Sequence, residues 1–235
     1  GQLEVRALAE RIEAAPACGV LTRGFSWGGQ PSPDRFTWGA LVPLGDGRFD
    51  VVRAGLPGDV PVEEAASALQ LLDATLFWFG AGDGELFDGY ENRKRLIEMY
   101  RQFHPTLVIA HAASDYHADH RAASALAEAA SWFCASRGHV TESAAMEMSP
   151  RLWFADTLGM SDFEPHFFVD VGEHVELKRK MLACHASQLK RGGDADFAPL
   201  DGLMLRQCQA RGAQCGVVAA EAFMQHAAFK RAGAW

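Results

Sequence analysis

After residue 48, apolar and polar positions along this chain alternate between two periods. Short apolar runs at residues 49–53, 75–79, 106–110, 151–154 and 167–171 predict strands. Between them, apolar positions recurring every three to four residues predict helices over 62–72, 91–103, 121–136 and 175–190. Two more helices are expected near 203–211 and 219–231. Glu63 and Glu64 fall in the first turn of the first helix, where the helix dipole favours anions. Strands alternating with helices imply βαβ units joined by right-handed crossovers. The expected fold is therefore α/β, a Rossmann-like three-layer sandwich with a mostly parallel sheet, in one domain spanning residues 1–235. Residues 1–48 form a divergent opening: 3–14 reads as a helix, 19–22 as a short strand, and the Gly-, Pro- and Trp-rich stretch 24–46 fits neither period.

Directly behind the apolar run 106–110 stand five residues able to bind metal or move protons: His111, Asp115, His117, Asp119 and His120. Open α/β sheets bind ligands just past the carboxyl ends of their strands, so the cluster lies where such folds carry chemistry. His117 and His120 are three apart at the start of a helix, whose positive end discourages imidazole from protonating. Zinc takes imidazole and carboxylate ligands, usually three protein groups and a water in a catalytic site. Asp115 and Asp119 suit the orienting of such rings. The plainer alternative is that one of these aspartates caps the helix and the histidines sit at the surface. Asp83, in the Gly80–Gly84 turn after the second predicted strand, is placed to line the same cleft.

Composition narrows the partners. A net charge of -8 disfavours nucleic acid and anionic membranes, both of which reward basic patches. No apolar run approaches the roughly 20 residues that span a bilayer, and the opening residues show no secretory pattern. Five cysteines without framework spacing read as reduced thiols. A cytoplasmic protein with a small-molecule ligand is expected, with homo-oligomerisation left open. Trp27 and Trp38 suit sugar stacking or core filling equally. Cys184 and His185 are neighbours on a predicted helix and point about 100° apart, which favours a buried structural thiol over a nucleophile–base pair. The basic residues at 178–180 and 190–191 read as a solvated face.

The segment Asp115-Tyr116-His117-Ala118-Asp119-His120-Arg121 resembles the second signature of the LmbE-like (PIG-L) zinc-dependent de-N-acetylases, where a strand precedes Asp-x-His-Pro-Asp-His-Arg. Three further stretches are similar to that family in the same order: Phe77 to Leu86, Phe168 to Gln188 with Glu176, Lys178 and His185, and Gly212 to Phe223. The resemblance covers roughly residues 50–226. It implies hydrolysis of an acetamide on an N-acylated amino sugar or small glycoside, with zinc and an acidic base activating water and a histidine stabilising the oxyanion. By resemblance His120 is a zinc ligand, His117 faces the oxyanion and Asp119 orients His117, while Asp83, Asp115 and His185 lie on the substrate side.

The family's first signature, a strand followed by Ala-His-Pro-Asp-Asp-Glu, has no counterpart. One register keeps Asp34 as the base but puts Ser32 and Arg35 at the two ligand positions; another leaves Gly19, Leu21 and Thr22 at the critical positions. Two of three expected zinc ligands are therefore missing. Either a shell is rebuilt from His111, Asp115, His117, Asp83, Cys184 or His185, or the chain is a non-catalytic relative that binds a sugar-like ligand or serves as a partner subunit. A third expectation is a metal-free hydrolase using Asp34 or Asp119 as base with His117.

Overall fold

A computed structural model describes residues 36–43, 49–55, 62–72, 74–79, 81, 84–189 and 200–228. In the first sheet, β1 (Phe36–Pro43) pairs antiparallel with β2 (Phe49–Gly55), and β2 pairs parallel with β3 (Ala74–Trp78). Helix α1 (Val62–Gln70) carries the crossover between β2 and β3. The second sheet runs β4 (Leu107–His111), β5 (Arg151–Ala155), β7 (Ala220–Gln225), β6 (Phe167–Asp170). There β4 and β5 are parallel, and β7 is antiparallel to both of its neighbours. Strands β1 and β4, each at one end of its sheet, lie side by side. The remaining helices are α2 (Tyr90–Phe103), α3 (Ala118–Phe133), α4 (Val175–Ala183) after a 3-10 turn at Gly172–His174, α5 (Ala186–Leu189) and α6 (Leu200–Cys215).

The core shows why β4 reads as a continuous apolar run: all five of its residues are buried. Val108 and Ala110, with Leu152 and Phe154, pack against α2 and α3 through Leu96, Ile97, Tyr100, Leu126 and Ala127. On the other face Leu107, Ile109, Trp153 and Phe223 pack against Leu69 and Leu72 of the α1 region and Leu177 of α4. Successive strand residues point to opposite faces, so helices cover both sides of this sheet.

The fold is α/β, as the periodicity implies, but two expectations are corrected. The sheet is mixed, not mostly parallel, because β1 and β7 run against their neighbours. Within the helix expected at 219–231, residues 220–225 instead form strand β7. Its alanines favour a helix in isolation, but between β5 and β6 the segment pairs on both sides and buries Ala220, Ala222 and Phe223. The helix expected over 175–190 breaks at Cys184 and His185, whose N–H groups bond back three residues to Met181 and Leu182. Lys178 does not belong to a solvated face: it is half-buried and pairs with Glu221 on β7. Cys184 is half-buried rather than enclosed. The helix and strand expected at 3–14 and 19–22 lie outside the described residues.

One buried cation fixes the far end of α3. Arg101, on α2, donates to the carbonyls of Phe133, Cys134, Ser136 and Ser143 and to the Thr141 hydroxyl. It satisfies carbonyls that a helix C-terminus leaves unpaired. One turn earlier, Glu98 accepts from the Ser143 hydroxyl (2.6 Å), the Ser143 N–H (2.9 Å) and Gln102 (2.8 Å). Burial alone would raise the Glu98 carboxyl, but the bonds from Ser143, Thr141 and Gln102 outweigh it and lower its pKa from 4.5 to about 2.

Arg101→Ala should destabilise the protein by about 3 kcal/mol through the carbonyls left buried and unpaired. Thermal unfolding should show a Tm lower by roughly 6–10 °C. For Glu98, the folded pKa lies below the unfolded value, so its contribution is complete above about pH 4.3 and fades as pH falls through about 2. Urea unfolding of Glu98→Gln should show lower stability at pH 7 and a flatter decline between pH 4.5 and 2.

Candidate active site

The site is assembled by one strand, one loop and one helix start. His111 is the last residue of β4 and is buried. The chain then turns: the Asp115 N–H bonds to the Ala112 carbonyl at 3.2 Å, and Asp115 Oδ1 accepts from the His117 N–H at 3.0 Å. Arg121 closes the loop from the other side, donating to the carbonyls of Asp115 (2.8 Å) and Tyr116 (2.7 Å). His117 caps α3, its Nδ1 accepting the Asp119 backbone N–H at 3.2 Å. An imidazole that accepts at Nδ1 holds its proton, when neutral, on Nε2. His117 therefore presents a fixed Nε2–H donor. Its side chain is 16% exposed, whereas His111, Asp115, Asp119 and His120 are all buried.

Asp119 is completely buried in the first turn of α3. Its carboxylate accepts the N–H groups of Gly84 (2.6 Å) and Leu86 (3.2 Å), on the segment leaving β3, and its Oδ2 lies 4.0 Å from His117 Nδ1. This contact brings the chain leaving β3 to the chain leaving β4, so both strands end at the same side of the molecule. Phe36 pairs with Gly55 at the end of β2, so β1 begins there too.

Beneath His117, the rings of His111 and His120 stack flat, with centroids 3.9 Å apart and planes 4° from parallel. His120 Nδ1 is 2.9 Å from Asp115 Oδ1, within ion-pair reach but too bent for a straight hydrogen bond. Both ring nitrogens of His120 are buried without a hydrogen-bond partner. Donor atoms of His111, Asp115 and His120 all lie within 4.8 Å of one another. Two imidazoles and a carboxylate are the donor types of a catalytic zinc centre, so these residues fit a transition-metal ion in kind. Tyr116 stands at the rim, half-exposed, edge-on to His117 and His120.

Of the residues singled out from the sequence, His117, Asp115, Asp119 and His120 are brought together, and His111 joins them. The stacking of His111 on His120 was not expected; its signal was its place as the last residue of a buried strand. His185 is half-buried in the turn between α4 and α5. Asp34 and Asp83 fall outside the described residues.

The buried histidine–aspartate cluster lies past the carboxyl end of β4, in an α/β fold similar to that of deacetylases of known structure. The GlcNAc-PI de-N-acetylase (PIG-L) family model matches residues 54–131, from the end of β2 to α3, and the resemblance read from the signature residues holds over that span. Among solved structures, the conserved protein TT1542 from Thermus thermophilus is 28% identical with a TM-score of 0.61, over 71% of this chain and 72% of that one. N,N'-diacetylchitobiose deacetylase from Pyrococcus horikoshii is 21% identical with a TM-score of 0.61, over 74% and 71%. GalB, the 4-carboxy-2-hydroxymuconate hydratase from Pseudomonas putida, is 21% identical with a TM-score of 0.59, over 72% and 71%. The last two show a shared fold. No helix among the described residues is long and apolar enough to cross a membrane.

Proposed function

We propose that the chain is a de-N-acetylase-like hydrolase that cleaves the amide of an N-acylated amino sugar or small glycoside. The observation that carries this reading is His117: it is partly open and locked by the Asp119 N–H into the tautomer that donates from Nε2. A fixed N–H donor is what a developing tetrahedral oxyanion requires. Asp119 supports that donor through its backbone, while its carboxylate holds the segment after β3 over the site. Tyr116 offers an aromatic face at the entrance, suited to the apolar face of a sugar ring. Zinc, expected from the family and compatible with the donors at His120, would supply Lewis acidity toward the acyl carbonyl. Asp34 is the candidate for the base that takes the proton from water.

A second reading has its own support. The first signature is absent, with Ser32 and Arg35, or Gly19, Leu21 and Thr22, where ligands would stand. That favours a relative that binds a sugar-like ligand without turnover. The fold itself does not choose the reaction, since it is shared by a deacetylase and a hydratase.

The test is acetate release from N-acetylglucosamine and N,N'-diacetylchitobiose by the full chain. Turnover is expected, with kcat falling about 10²–10³-fold in His117→Ala and KM changing little. Loss of the cap should lower stability by about 1 kcal/mol, too little to unfold the protein. Turnover unaffected in His117→Ala would contradict the assigned role. A ligand-induced rise in Tm without any acetate release would replace the hydrolase with the binding relative.

A further inference from the structure

We propose that His111, Asp115 and His120 form a divalent transition-metal site contained in one strand–loop–helix segment, replacing the ligands that the family takes from its first signature. The expectation of a metal rests on the family reading above; the ligand set comes from this chain's own geometry.

Three observations point to it. The donor atoms lie within 4.8 Å of one another, and the three residues are 1%, 3% and 1% exposed. His120 Nε2 is buried without a hydrogen-bond partner, and Nδ1 faces the Asp115 carboxylate at 2.9 Å without a hydrogen bond, an arrangement that a coordinated cation would satisfy. The loop is also held by contacts that need no metal. The Asp115 N–H bonds to Ala112, Arg121 binds the carbonyls of 115 and 116, and the Ser114 hydroxyl bonds to the Asp162 carbonyl at 2.7 Å. The backbone that carries the donors is therefore set before any ion arrives.

Chemistry selects the ion. Two neutral imidazoles and one carboxylate carry a single negative charge, leaving one net positive charge on a bound divalent cation to face an acyl oxygen. Nitrogen-rich donors favour zinc, cobalt or ferrous iron over magnesium or calcium, which prefer all-oxygen shells. His117, with its ring centroid 4.8 Å from that of His120 and its Nδ1 already occupied by a backbone N–H, stays outside this set as a proton donor. Parallel rings aim their in-plane lone pairs in parallel, so one imidazole must turn out of the stack for both to face one ion. Metal binding and the observed stack are thus alternative states of the same two rings.

The experiment uses the full chain, purified without a metal-affinity tag, stripped with chelator and titrated with Zn²⁺ or Co²⁺. Metal content, the visible absorption of Co²⁺ and the metal-dependent rise in Tm are read. One metal per chain is expected, with affinity falling about 100-fold or more in each of His111→Gln, Asp115→Asn and His120→Ala, and unchanged in His117→Ala. Circular dichroism and metal-free unfolding identify variants that have lost their fold, and the conservative His111→Gln and Asp115→Asn then decide the question. No metal bound by the wild-type chain would overturn the site. So would binding that survives both conservative variants, because the ligands would then lie elsewhere. Metal bound by these residues without acetate release would leave the site standing and remove the hydrolase; acetate release from metal-free protein would do the reverse.

Discussion

A carboxylate sealed from water at the start of α3 sets the constraint on which the rest of the site depends. Burying an ionised group is tolerable only where donors replace its lost hydration. Asp119 meets that demand with the N–H groups of Gly84 and Leu86 and the positive end of its own helix. Gly84 reaches its position with φ of +77°, a conformation costly for residues with a Cβ. The segment after β3 is thereby pinned over the loop after β4, although the two are 33 to 35 residues apart in the chain. At the opposite end of α3, Arg101 holds the helix terminus against α2. The helix that presents the chemistry is fixed at both ends by charge buried with partners.

Given that anchor, burial sorts neighbouring groups into different tasks. His117 is the open one and offers a single directed proton. His111, Asp115 and His120 are enclosed and share a small volume, which suits holding an ion rather than touching a bulky substrate. Tyr116, half-exposed, stands edge-on to His117 at the rim of the cluster.

Much of the site was legible in the sequence because it is local. Strand, loop and helix start occupy residues 106–121, so spacing alone brings the histidines and aspartates near one another. What spacing does not carry is ring orientation: the flat stack of His111 on His120 follows from where β4 ends relative to the first turn of α3. The fold was less legible where tertiary pairing overrides local preference. The alanines of β7 suit a helix until β5 and β6 pair on either side of it, and antiparallel β1 and β7 are invisible to a reading that infers strand direction from alternation with helices. Lys178 looked solvated because its partner, Glu221, is 43 residues away on β7.

Amide hydrogen exchange of the wild-type chain, read at Gly84 and Leu86, tests the anchoring most directly. Gly84 is exposed, so ordinary loop behaviour would leave its N–H exchanging freely. Both amides should instead exchange as slowly as those in the middle turns of α3. Rapid exchange at Gly84 and Leu86, with α3 still protected, would show that the buried carboxylate does not hold the two segments together and would contradict the account.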